Sequence, residues 1–306
     1  MSHPFVSVIV PTRGRPELVR RAVESVVAQD YEGTLECLVV HDQEAPDESL
    51  VALGRPGRDV SVMVNDHAAG LAGARNAGRE HAKGELIAAC DDDDLWHPEK
   101  LRLQVAWLGE HPDVDVVGAG IRLLMPDGEI ASWPGRTETV TRQDLLRNRI
   151  KELHSSTLLC RREVYDRVGG FDENLPFGYG EDYDWLLRAA VDRPLGVVPQ
   201  PLADINKVGQ SWFRERQAIV AEGLEFLLAK HPDFSTTRRG GARVRGQIAF
   251  AHASAGNRKG AIRWAGRALG RWPADPHALL ALANVTVGLD PELVLQRARS
   301  RGKGVS

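Results

Sequence analysis

The chain has 306 residues, room for one large domain and an appendage at roughly 100–200 residues per domain. Its 42% hydrophobic and 26% charged residues exclude a disordered or fibrous chain, and no apolar run approaches the roughly 20 residues that span a bilayer. The net charge of −3 divides unevenly. Residues 1–205 hold 22 Lys/Arg against 35 Asp/Glu, and residues 206–306 hold 17 against 7, so two regions with different partners are expected. The start lacks a basic segment before its short apolar stretch Val6–Val10, so a signal peptide is not expected. Cys37, Cys90 and Cys160 are odd in number, widely spaced and each beside an apolar run. That pattern fits buried thiols in a reducing, cytoplasmic compartment rather than a disulfide scaffold or zinc ribbon.

In chain order, Phe5–Val10 is a β-branched run stopped by Pro11, a buried strand. Pro16 opens a helix over Glu17–Gln29, with Leu18, Ala22, Val26 and Val27 on one face. Strands follow at Leu35–Val40, Val60–Val64, Glu85–Cys90 and Val114–Val117, with helices at Ala72–Ala82 and Pro98–His111. This alternation predicts an α/β domain with a largely parallel sheet. In such sheets ligands bind beyond the carboxyl ends of the strands, where Pro11–Arg15 and Asp91–Asp94 fall. After about residue 236 the chain turns Ala-rich and helical over Arg238–Trp272 and Pro276–Leu289. Ala249, Gly256, Ala261, Ala265, Ala268 and Pro273 sit at offsets that resemble one tetratricopeptide repeat, and Arg297–Ser306 is expected to fray. The domain boundaries read as 1–210, a helical linker over 211–236 and a helical extension over 237–306.

Asp91-Asp92-Asp93-Asp94 is the most informative feature. Four adjacent carboxylates at the end of an apolar strand cannot all be buried as anions without counter-charge. In an extended backbone Asp91 and Asp93 would point to one side, Asp92 and Asp94 to the other. A hard divalent cation, Mg²⁺ or Mn²⁺, would relieve the repulsion; a solvated acidic loop, or a cap at Asp94 for the helix around Pro98, would also account for the run. In Gly180-Glu181-Asp182-Tyr183-Asp184-Trp185, acids precede an amphipathic helix over Trp185–Val191. They either stabilise the helix start through its dipole or supply a general base.

The order VSVIVPTRGRPELVRRAVESVVAQDY, LVVHD, AGLAGARNAGREHAKGELIAACDDDDLWHPEKL and VGGFDENLPFGYGEDYDWLLR resembles family-2 glycosyltransferases of the GT-A fold, over roughly residues 5–210. The resemblance implies that Pro11 and Thr12, with Arg13 and Arg15 nearby, cup the base and ribose of a nucleotide-sugar donor, and that Asp42 hydrogen-bonds the base. The family usually has two acids followed by Gly-Ser at that point; this chain has His41-Asp42-Gln43-Glu44. Arg75 and Asn76 would flank the nucleotide. Asp91, Asp92 and Asp93 would be the acid–X–acid motif, Asp91 and Asp92 toward the nucleotide sugar and Asp93 with Asp91 toward the metal. Asp182 would be the catalytic base, with Glu181 beside it in the acceptor site. Where many relatives carry a late histidine, this chain has Val208, next to Lys207.

The implied reaction is a metal-dependent, inverting transfer of a sugar, most simply from a UDP-sugar, to a hydroxyl of a carbohydrate, lipid-linked or small-molecule acceptor. A bridging cation stabilises the departing diphosphate, and a base activating the hydroxyl contributes about 10²–10⁴ in rate. No second carboxylate is placed as a nucleophile, which favours inversion. Two other readings are a nucleotidylyltransferase, for which PTRGRP is too short a phosphate loop, and a catalytically degenerate scaffold, against which Asp91, Asp93 and Asp182 stand. His41, His67 and His154 show no metal-ligand spacing. His154-Ser155-Ser156 reads as a polar turn before a strand at Thr157–Cys160, with lining of the acceptor site as the second reading. Trp185, Trp264 and Trp272 read as core, and Trp96, beside the acids, as a candidate for the site. Gly70-Leu71-Ala72-Gly73 is no dinucleotide fingerprint. Lys259, Arg263, Arg267 and Arg271 form a cationic stripe, which is either a solvated face or a surface for an anionic membrane at the inner face or an acidic partner; nucleic acid is not expected.

Overall fold

The structure, a computed structural model, describes residues 3–125, 128, 130–207 and 216–288. It divides into two compact units. The first holds the described residues of 1–142, 150–173 and 181–209, the second those of 143–149, 174–180 and 210–306. No helix among the described residues is long and apolar enough to cross a membrane. Val208, residues 211–215, Leu289 and Arg297–Ser306, all named in the sequence reading, lie outside the described residues.

The first unit is built on strands β1 (Val6–Thr12), β2 (Leu35–His41), β3 (Arg58–Val64), β4 (Leu86–Ala89), β5 (Leu95–Trp96), β6 (Val116–Leu124), β7 (Ile130–Trp133), β8 (Thr139–Val140), β9 (Leu159–Arg161) and β10 (Leu195–Asn206). They form one mostly parallel, mixed sheet in the order β3-β2-β1-β4-β9-β6-β10-β5, with β7 on β6 and β8 on β10. β1 pairs in parallel with β2 and β4, and β10 in parallel with β6; the short β9 joins the halves antiparallel to β4 and β6. Every residue of β1 and β2 is buried, as their mostly apolar runs require of central strands covered on both faces, and Ser7 within β1 donates to Glu36 within β2 at 2.5 Å.

Helices α1 (Pro16–Val27), α2 (Leu71–His81) and α3 (Lys100–Glu110) follow the strands the sequence placed before them. Pro16 sits at the start of α1, where a missing N–H costs nothing. The small residues of α2 have a packing reason: a Cβ on Gly78 would come within 2.5 Å of Ile9 Cγ2, and one on Gly73 within 1.9 Å of the Ala68 carbonyl oxygen. Two short helices, α4 (Arg142–Arg147) and α5 (Glu163–Val168), follow in the chain. Helix α6 (Glu181–Ala189) starts four residues before the expected Trp185. Its three acids therefore occupy the first turn, where the helix dipole favours negative charge.

The second unit contains α7 (Gln217–Lys230), α8 (Arg238–Ser254), α9 (Arg258–Leu269) and α10 (Pro276–Val287). The helical stretch expected over Arg238–Trp272 is two helices, broken at Gly256 with φ +77°. Ala261, Ala265 and Ala268 are buried, while Lys259, Arg263 and Arg267 are exposed and Arg271 is half-buried.

Candidate functional site

The carboxyl ends of β1, β2 and β4 bring the loops expected from the sequence to one place. The Asp42 amide donates to the Thr12 carbonyl oxygen at 2.9 Å, so the segment after β2 continues beside the one after β1. The Asp42 carboxylate is buried and accepts from Asn65 Nδ2 at 2.8 Å and from the Gly70 amide at 3.0 Å. Arg13, largely exposed, reaches it at 3.4 Å. Pro11 lies within β1, paired with Val40.

The acid run is a turn rather than an extended segment, because the Asp94 amide donates to the Asp91 carbonyl oxygen at 3.1 Å. The alternation expected of a strand is lost, and each carboxylate finds a separate environment. Asp92 accepts from Thr12 Oγ1 at 2.8 Å and pairs with Arg15 at 3.0 Å; burial still holds its carboxyl above the usual range. Asp93, less buried, pairs with the same guanidinium at 3.1 Å and is also pushed upward, by burial and by the charges of Asp91 and Asp92. Asp94 is 1% exposed and accepts from Ser156 Oγ at 2.5 Å and the Asn206 amide at 2.9 Å. Burial, with Asp91 nearby, drives its carboxyl well above the ordinary value, so the protonated form is favoured.

Asp91 differs from the other three. Its Oδ1 accepts from Arg75 at 2.6 Å, its Oδ2 from Ser155 Oγ at 2.7 Å, and its amide donates to Ser156 Oγ at 3.0 Å. Burial opposes ionisation, but Arg75, then His154 and the hydrogen bonds, hold the carboxyl below its usual range. Arg75, 1% exposed, also donates to Glu181 Oε1 at 2.5 Å. Burial penalises its charge, yet Asp91 and Glu181 outweigh that penalty and raise its affinity for the proton. One buried guanidinium thus joins the turn after β4 to the first turn of α6. Glu181 is held above the ordinary carboxylate range, by burial first and by Asp182. Asp182 is buried and accepts from the Tyr183 amide at 2.7 Å. Asp184, the third acid, pairs with Arg188 at 2.9 Å along the helix.

Asn76 turns elsewhere. Its Nδ2 donates to the Phe171 carbonyl oxygen and to Glu173, and its Oδ1 accepts from the Phe171 amide at 2.8 Å, which fixes the loop leading toward α6. Trp96 is a correction to the sequence reading. It is 4% exposed, donates from Nε1 to the Ser156 carbonyl oxygen and lies under the Lys100 ammonium, a core position that no sugar reaches. Trp185 is buried as expected, against Phe171 and Tyr165.

His154 is a group that sequence spacing did not find. A ring nitrogen of His154 and carboxylate oxygens of Asp91 and Asp94 lie within 4.8 Å of one another. Two carboxylate oxygens and an imidazole suit a cation such as Mn²⁺. The residues therefore fit a divalent ion, and binding one would stabilise the ionised form of Asp94. The sequence carried no signal because His154 lies 60 residues beyond Asp94 and the pairing is made only when the turn over Ser155–Thr157 folds against the acids.

The family model for glycosyl transferase family 2 matches residues 7–169. Among curated proteins, the sequence is 24% identical over 198 residues to WfgD of Escherichia coli, described as a UDP-Glc:alpha-D-GlcNAc-diphosphoundecaprenol beta-1,3-glucosyltransferase. That match covers 65% of this chain and 74% of the relative. It is 28% identical over 191 residues to the glycosyltransferase AglE of Haloferax volcanii, covering 61% of each. A further relative, an uncharacterized protein of Sinorhizobium fredii, is 28% identical, and the match spans 60% of this chain but 22% of that protein. The fold is similar to S. aureus TarS 1–349 at TM-score 0.58 and 19% identity, covering 93% of this chain and 92% of that one. It is also similar to the mannosyltransferase PcManGT of Pyrobaculum calidifontis, solved with GDP-Man and Mn²⁺, at TM-score 0.60 and 21% identity, covering 98% and 85%.

Proposed function

Because this chain belongs to glycosyl transferase family 2, we propose that it transfers a sugar from a nucleotide-diphosphate donor, a UDP-sugar first among candidates, to a hydroxyl acceptor with inversion at the anomeric carbon. The observation that carries the proposal is the Arg75 bridge, which ties Asp91 to Glu181 at 2.6 and 2.5 Å. It sets a donor-side acid and the acids at the start of α6 within reach of one guanidinium. UDP, UDP-GlcNAc and GDP-Man are bound by the structural neighbours, which supports a nucleotide sugar as donor class.

In this reading the loop of Pro11, Thr12, Arg13 and Arg15 cups the nucleoside, Asp42 accepts from the base, and Asp91 and Asp92 face the ribose and sugar. Arg75 and Asn76 flank the site, Asn76 by holding the Phe171–Glu173 loop. Asp91 and Asp93 would hold a divalent cation, Mn²⁺ or Mg²⁺; Asp91 with Asp94 and His154 is the alternative set, favoured by their 4.8 Å grouping. Such an ion supplies charge stabilisation to the leaving diphosphate. Asp182 removes the proton of the acceptor hydroxyl, whose oxygen attacks the anomeric carbon opposite the diphosphate. The carbon–oxygen bond to the diphosphate breaks as the new one forms, and one displacement inverts the centre. Glu181, engaged with Arg75, positions that guanidinium and lines the acceptor side.

The acceptor is a glycan, a lipid-linked sugar or a small molecule. We place the transferase domain at 1–210, with 211–236 joining it to a tetratricopeptide-like extension at 237–306. The exposed Lys259, Arg263 and Arg267 would hold an anionic membrane at the cytoplasmic face. The test is release of nucleoside diphosphate from a panel of UDP- and GDP-sugars with Mn²⁺, Mg²⁺ or chelator, followed by product anomer analysis. Release that ignores both the donor and the cation would contradict the proposal.

A further inference from the structure

The second unit contains a cavity of about 700 Å³, entirely separate in its residues from the acids described above. Its wall is cationic: Arg147, Arg238, Arg239 and Arg243 all line it, and the first three are exposed. Arg238 donates from Nε to the Arg271 carbonyl oxygen at 2.6 Å. The Arg239 guanidinium sits 5.3 Å from the centre of the Trp272 ring. Arg147 meets Asp144 only at 3.8 Å, at the far end of ion-pair reach. Arg243 donates to the Arg147 carbonyl oxygen at 3.0 Å.

Two helices also begin at this cavity. Arg238 and Arg239 are the first residues of α8, a helix of 17 residues whose preceding Thr237 makes no capping hydrogen bond. Pro276 and His277 open α10, capped by Asp275 through a 2.9 Å bond to the Ala278 amide. A helix start without a side-chain cap attracts an anion, and guanidinium groups match phosphate oxygens.

Independent evidence for a ligand comes from two orphaned atoms in the wall. Asp275 is fully buried, and its Oδ2 has no hydrogen-bond partner among the described residues. His277 is 8% exposed, and its Nδ1 is likewise buried without a partner among the described residues. Burial, then Arg243, pushes this imidazole down to about 4, so it is neutral at physiological pH. An acceptor oxygen left unpaired in such a place is costly unless something donates to it. Phosphate alone offers Asp275 nothing but repulsion. A molecule carrying both phosphate and hydroxyl groups meets the cations and the orphaned carboxylate oxygen together. We infer that this cavity binds a phosphorylated sugar, its phosphate held by Arg238, Arg239 and Arg147 at the start of α8 and a hydroxyl donated to Asp275 Oδ2. The inference stands on the second unit alone and does not need the transferase reading.

The test is calorimetric titration of the full chain with glucose 1-phosphate, glucose and inorganic phosphate, each with saturating UDP present to occupy a nucleotide site. The expected result is saturable binding of glucose 1-phosphate, with glucose and inorganic phosphate each at least about tenfold weaker. Arg238→Gln with Arg239→Gln, both at exposed positions, should weaken glucose 1-phosphate by about tenfold or more, and the Lys pair should recover part of that loss. Asp275→Asn keeps the α10 cap and should narrow the gap between glucose 1-phosphate and inorganic phosphate. Equal affinity for the two in the native chain, displacement by UDP, or indifference to the double arginine variant would each overturn the assignment.

Discussion

In the α/β unit, the acids of the turn after β4 are largely covered and meet a cation or a hydroxyl: Asp91 with Arg75 and Ser155, Asp92 with Arg15 and Thr12, Asp94 with Ser156. In the helical unit the arrangement is reversed. Its arginines stay at or near the surface, some over tryptophan rings, and among the described residues its buried, unpartnered polar atoms include Asp275 Oδ2 and His277 Nδ1, beside atoms of Ser254 and Arg271. The charge asymmetry of the sequence is thus two different devices. One unit concentrates acids where a cation and a proton acceptor would be useful. The other displays cations for an anionic ligand. Buried charge is held by partners and is sensitive to removing one of them, whereas exposed charge is cheap to change.

The sharpest way to break this comparison is Arg75→Met. Removing the guanidinium leaves Asp91 and Glu181 buried without their shared counter-ion, and a loss of about 3–5 kcal/mol in stability is expected, read as a large fall in Tm. A variant that melts with the native chain would show that the bridge is not holding the two loops. Next in size is Asp182→Asn, for which turnover should fall at least about 100-fold while donor affinity stays within error. The amide retains the acceptor oxygen that the Tyr183 amide uses, so catalysis separates from the helix start.

A third comparison divides the two candidate ligand sets. Asp93→Ala should move the Mn²⁺ midpoint of donor turnover upward by about tenfold or more. If His154→Ala does so and Asp93→Ala does not, the cation is held by Asp91, Asp94 and His154. Lys100 offers a smaller, pH-dependent test. It is fully buried, bonded to Gln104 and pushed down to about 7 by burial. Between about 7 and 10.5 the unfolded chain keeps this proton and the folded chain releases it, so stability rises with pH across that window and is flat with respect to this group below it. Lys100→Met should lack that rise in urea melts at pH 7 and 9. The smallest effect belongs to the helical unit, where Lys259→Gln with Arg263→Gln should leave stability within about 0.5 kcal/mol.

Much of this was legible in the sequence where local pattern and tertiary role agree. The runs that became β1 and β2 are apolar because they are central, and the Gly- and Ala-rich α2 is small because Ile9 and the Ala68 carbonyl press on it. The acids at 91–94 and 181–182 announced themselves by charge. What was not legible required distance. β10 contains Pro199 and Pro201, which argue against a strand, and it is accommodated by register shifts at those positions. The turn at Asp91–Asp94 cannot be told from an extended run by composition, and it decides that Asp91 and Asp94, not Asp91 and Asp93, approach His154. Trp96 sits beside the acids in sequence yet packs inward under Lys100. Nothing in the sequence pattern marks Asp275, which caps α10 with one carboxylate oxygen while the other is buried and unpartnered among the described residues.

The central claim is that the acids gathered by Arg75 transfer a sugar from a nucleotide donor. Its most direct test measures nucleoside diphosphate release from the best-bound nucleotide sugar, by the native chain and by Asp182→Asn in parallel, with donor affinity determined for both. The account predicts cation-dependent release by the native chain and at least about 100-fold slower release by the variant at unchanged donor affinity. Equal rates in the two proteins, or release by neither at saturating donor and cation, would contradict it.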